Sequence, residues 1–115
     1  MNTTSVAERS QNFLLLLARS RDCSHLQSEG CAMYEQLLDQ LQANPQDANC
    51  PDLIITVFSL LDQMRNKRAL DSESVGAFAN RAIEVIQTSK IGETDPDLAE
   101  FLEEQQKRLC SNIKK

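Results

Sequence analysis

Tryptophan is absent from this chain of 115 residues, and tyrosine and histidine occur once each. Glycine and proline number three each. A sandwich or barrel of short strands needs far more turn residues than that. The shortage of histidine removes whole classes of chemistry. A di-iron bundle requires two Glu-x-x-His pairs, which the single His25 cannot supply. None of the four cysteines (Cys23, Cys31, Cys50 and Cys110) forms a Cys-x-x-Cys pair, and His25 is not spaced with them as a zinc site demands. There is no glycine-rich phosphate loop. Neither a catalytic nor a metal-binding constellation is legible, and no cofactor is implied.

Long apolar runs are missing too. The longest, residues 13–18, is far short of the ~20 residues of a membrane span. It is also too short for a signal-peptide core, and Glu8 and Arg9 stand where such a core has no place for them. The expectation is a cytoplasmic protein with reduced thiols and no membrane contact. The even cysteine count leaves a secreted helical protein with two bridges as the alternative. The match of Asn2-Thr3-Thr4 to a glycosylation sequon has no meaning without a secretory signal.

Apolar residues make up 41% of the chain, the level of an ordinary globular domain. At this length a fold buries roughly two-thirds of the surface its unfolded chain exposes, so one domain over residues 1–115 can hold a real core. With so few aromatics, leucine and alanine must do the packing, which favours helices over sheets. The net charge of −5 argues against a general nucleic-acid binder. The cations gather in Arg65, Lys67 and Arg68 and again in Lys107, Arg108, Lys114 and Lys115, where they complement helix C-termini.

The apolar periodicity predicts five helices. The first spans about residues 5–19; Ser5 and Glu8 have the spacing of a capping box, and Val6, Phe13, Leu14, Leu16 and Leu17 form a broad apolar face. The second runs from residue 24 or 28 to 43, with Asn44-Pro45 as its stop. The third starts at Cys50-Pro51-Asp52, proline suiting a first helical turn. Leu53, Ile54, Val57, Phe58, Leu60, Leu61 and Met64 make it apolar on nearly all sides, which predicts a central position. The fourth begins at Asp71 or Ser72 and ends near residue 89, Gly92 fitting the stop. The fifth begins at Asp95-Pro96-Asp97 and carries acidic residues at its start and basic ones at its end.

Shifting the sequence against itself by 45 residues aligns Phe13, Leu15 and Leu16 with Phe58, Leu60 and Leu61, and Pro51-Asp52-Leu53 with Pro96-Asp97-Leu98. Gly30 falls one position from Gly76. That period lies in the range of helix-pair repeats of the HEAT and armadillo type, roughly 40–47 residues. Residues 34–45 also faintly resemble the second helix of a tetratricopeptide repeat, but with proline about one turn late and no preceding Trp-Leu-Gly pattern. The expected fold is therefore all-α, of antiparallel helix pairs: units 5–49 and 50–94 in a superhelix, closed by a capping helix over 95–113. A compact up-and-down bundle is the alternative. The two glycines are expected to let helix backbones approach closely.

The function expected of such a scaffold is non-enzymatic: an adaptor, chaperone or assembly factor that binds a partner's helix or peptide in a helical groove. Candidate partner-binding residues are Met33, Tyr34, Arg65, Lys67, Arg68 and Arg81. Tyr34 is read as a boundary residue with its hydroxyl in water. A homodimeric regulatory protein touching nucleic acid through Arg65, Lys67 and Arg68 is the alternative.

Overall fold

The computed structural model describes residues 6–43, 50–91 and 95–110, and the side chains of residues 8–43, 50–91 and 95–109. Ser5, Asn44-Pro45, Gly92, Ile113, Lys114 and Lys115 lie outside the described residues, as do the side chains of Val6 and Cys110. The described chain folds into α1 (Val6–Arg19), a single 3-10 turn (Ser24–Leu26), α2 (Gln27–Ala43), α3 (Cys50–Asn66), α4 (Ser72–Thr88) and α5 (Pro96–Cys110), with no strand among the described residues.

Contacts between distant residues fix the helix directions. Gln11 donates to the Thr56 hydroxyl at 3.4 Å, and Lys67 Nζ, just past α3, donates to the Ser20 carbonyl at 2.7 Å, so α1 and α3 run parallel. Tyr34 meets Phe78 and Glu35 meets Arg81, so α2 and α4 run parallel as well. The short links 20–26 and 67–71 turn α2 back along α1 and α4 back along α3. Phe58 of α3 and Phe101 of α5 meet edge to face at 5.8 Å. α1, α3 and α5 thus lie side by side, and α2 and α4 form a second row against them. The molecule measures 49 × 38 × 18 Å, and the shortest dimension fits two layers of helices, each about 10 Å across.

The breadth of the apolar surface on α3 has the consequence its sequence implies. Leu53, Ile54, Val57, Phe58, Leu60, Leu61 and Met64 are all buried, and α3 alone touches each of the other four α-helices. Its exposed strip carries Pro51, Asp52 and Ile55. Gly30 on α2 is buried against α3, but not for the close approach of two backbones. A Cβ there would overlap the Sδ and Cε of Met64, so the glycine makes room for a side chain.

Two helix starts match the sequence. Asp71 accepts from the Ser74 amide at 3.3 Å and the Ser74 hydroxyl at 2.7 Å, which holds its carboxyl below the usual range. Asp95 accepts from the amides of Asp97 and Leu98 at 3.0 and 3.3 Å. α4 ends at Thr88, close to the expected residue 89, and its left-handed turn falls at Lys90, with φ of 60°. Lys90 donates to the Gln87 carbonyl and Ile91 to that of Ile86, the paired bonds of a Schellman motif. Burial of Ile91 beside Ile86 supplies the apolar contact that sets the position.

α3 ends in the same way. Arg68 has φ of 68°, its amide bonds the Arg65 carbonyl, and the amide of Ala69 bonds that of Met64. A left-handed backbone strains a residue bearing a Cβ by roughly 1–2 kcal/mol, part of which glycine returns through its freer unfolded chain. Arg68→Gly is therefore expected to stabilise the protein by up to about 1 kcal/mol, raising Tm by a few degrees in a thermal melt. Arg68→Val at the same position should lower it.

Candidate binding groove

Among the described residues the second row has two helices against three in the first, and no helix of that row lies on the α5 flank of α4. α5 packs antiparallel to α4, anchored where Gln106 donates to Asn80 Oδ1 at 3.3 Å. Towards the Schellman turn the two helices enclose a groove of about 520 Å³. Its floor is Ile83, Ile86, Ile91, Leu98 and Leu102; Gln87 and Lys90 rim it on α4, and Ala99, Glu103 and Gln106 on α5. The period of 3.6 explains the α5 wall, since Ala99, Glu103 and Gln106 follow one another at i, i+4 and i+7. Among the described residues Lys90 and Glu103 are its only ionisable lining groups, and no His, Cys, Ser, Thr or Tyr lines it. Such a site can bury an apolar stripe and exchange hydrogen bonds at its rim. Among the described residues no group of His, Cys, Asp or Glu is arranged to hold a metal ion.

The residues singled out from sequence fall into two places, neither of them the groove. Tyr34 and Met33 are core residues, which corrects their assignment to a partner surface. The Tyr34 hydroxyl is not in water: it donates to the Phe78 carbonyl at 2.6 Å, and the two rings lie 4.7 Å apart. Burial pushes the phenol pKa well above its ordinary value. Arg81 sits at the edge of the same cluster. Its guanidinium takes both oxygens of Glu35, at 2.6 and 3.0 Å, and lies 5.8 Å from the centre of the Tyr34 ring. The Glu35 hydrogen bonds push its pKa up. These four side chains clamp α2 to α4.

Arg65, Lys67 and Arg68 gather at the far end of α3. Arg65 pairs with Asp62 at 3.2 Å and Lys67 caps the carbonyl end of α1 through Ser20, while Arg68 stays exposed. Two of the three cations are thus engaged within the fold. His25 is exposed in the 3-10 turn, and Cys23 beside it is fully buried. Cys31 is only partly buried, and Cys23 and Cys31 are free thiols. Leu15, Leu16 and Ile55 are 56%, 45% and 49% exposed, the outward share of the apolar surplus on α1 and α3.

The sequence reading did not find the groove residues Ile83, Ile91, Leu98, Leu102 and Glu103 as a site. One signal was present: an odd number of helices in a fold of helix pairs leaves a flank uncovered. No protein family matches the chain, and neither does a characterised protein or a solved structure. No described helix is long and apolar enough to cross a membrane.

Proposed function

We propose that this chain is a non-enzymatic protein–protein interaction module whose α4–α5 groove receives a helix of a partner protein. The observation that carries the reading is the place of the groove. α2 packs against both α1 and α3, and α4 against both α3 and α5, so a helix laid in the groove would continue the second row beside α4. An apolar floor with a polar rim is what an amphipathic helix requires of its receptor. Units of about 45 residues stacked in a superhelix account for the same plan. They would bring together residues separated by roughly one unit, as in Gln11–Thr56, Glu35–Arg81 and Tyr34–Phe78, at separations of 45, 46 and 44. Two helix pairs fall short of the three or more that such folds usually stack, so the partner's helix also supplies missing cover. The setting that fits is cytoplasmic, where Cys23 and Cys31 stay reduced.

The test uses a synthetic helical peptide of about five turns with a Leu/Ile stripe and uncharged polar flanks, set against a scrambled peptide of the same composition. Amide chemical shifts of the labelled protein should move at Ile83, Gln87, Ile91, Leu98, Ala99 and Leu102 with the first peptide only. Equal shifts with both peptides, or shifts centred on Leu15, Leu16 and Ile55, would sink the groove reading.

A further inference from the structure

We infer that the helix received by this groove is cationic, with lysine or arginine flanking its apolar stripe; the inference rests on the groove reading above. The charges of α5 are ordered along its length: Asp97, Glu100, Glu103 and Glu104 occupy its first half, Lys107 and Arg108 its end. Antiparallel packing on α4 sets the acidic half beside the groove and carries the basic end away from it, past Gln106 and Asn80. On the other wall Glu84 is exposed three residues before Gln87, on the same strip of α4. Among the described residues Lys90 is the one cation in the lining, just past the end of α4. Glu84, Glu100 and Glu103 form no ion pair among the described residues, so their carboxylates stand open to an incoming charge.

The parallel run of α1, α3 and α5 sharpens this polarity. All three end in basic turns, with Arg19, Arg65, and Lys107 with Arg108, so those cations collect at the end of the molecule remote from the floor formed by Ile91 and Leu98. Glu103 in the lining and the exposed Glu84 and Glu100 on the adjoining strips of α4 and α5 outnumber Lys90, and on a chain of net charge −5 that surplus favours a cationic helix in both approach and seating and disfavours an anionic one.

The experiment compares three peptides that share one Leu/Ile stripe and differ only in their flanks: lysine, glutamine or glutamate. Binding to the full chain is measured by fluorescence anisotropy at low and at physiological salt, with the amide shift map as a second readout. The lysine peptide should bind about tenfold tighter than the glutamate peptide at low salt, and the gap should narrow as salt screens the exposed charges. The triple variant Glu84→Gln, Glu100→Gln, Glu103→Gln alters only exposed positions and should bring the affinities of the lysine and glutamate peptides within about twofold of each other. Equal affinities for the lysine and glutamate peptides, or a preference for glutamate, would overturn the charge inference while the glutamine peptide's groove shifts keep the groove reading intact. If no peptide moves the groove amides, both fall. Groove shifts that arise with protein concentration alone, together with a dimer mass in sedimentation, would assign the groove to a second copy of the chain and overturn the cationic partner.

Discussion

Tyr34→Ala should lower the unfolding free energy by about 3–5 kcal/mol in urea titration, a large share of what a domain of this size has. Three losses combine. The ring is fully buried and packed 4.7 Å from Phe78, so truncation leaves a cavity between α2 and α4. The hydroxyl bond to the Phe78 carbonyl disappears. The Arg81 guanidinium loses the ring face near which it lies. Tyr34→Phe separates these terms and should cost about 1 kcal/mol, the net worth of one hydrogen bond. Arg81→Ala should cost less than that, because the Arg81–Glu35 pair is about half exposed and screened by water. A Tyr34→Ala cost below that of Arg81→Ala would refute the clamp.

The same residue gives an alkaline test. A buried phenol with a raised pKa stays neutral where the unfolded chain's phenol ionises, near pH 10. Its contribution to stability is whole below that pH and is lost as pH rises towards the folded value. Tyr34 is the only tyrosine, so tyrosinate absorbance reports it without interference. The signal should appear together with unfolding and not before it.

The second large effect lies at Gly30 and Met64. Met64→Ala should cost about 2–5 kcal/mol, because Met64 is fully buried in the central helix. Gly30→Ala alone sets a helix-propensity gain of ~1 kcal/mol against displacement of the Met64 thioether, and the net change should be small or unfavourable. In the Met64→Ala background the obstruction is gone and the propensity gain remains, so Gly30→Ala should then stabilise by about 1 kcal/mol. Additive effects across this double-mutant cycle would show that the glycine serves something other than room for the methionine. Gly30→Leu should be the worst of the set, at about 3 kcal/mol or more, through overpacking.

Much of the architecture was legible in one dimension, and particular residues show where that legibility stops. The breadth of apolar positions on α3 foretold its central place, since only a helix with neighbours all round can bury Ile54, Phe58 and Leu60 together. Asp71 and Asp95 foretold two helix starts, because an N-cap acts on amides two or three residues away. The left-handed turn at Lys90 was not legible, because it depends on Ile91 finding cover beside Ile86. Cys23 read as a loop residue and is fully buried, its amide bound to the Lys67 carbonyl at 2.7 Å. Tyr34 read as a boundary residue because its partner, Phe78, lies 44 positions away.

By itself the sequence determined the helical class, the number of helices and most of their limits, all of which arise from interactions within a turn or two of chain. Only the tertiary structure decided that the described helices form rows of three and two, that Tyr34 is sealed between α2 and α4, and that the acidic half of α5 borders an apolar groove. Those features depend on how helices stack, and stacking is set by contacts between residues that no local period relates.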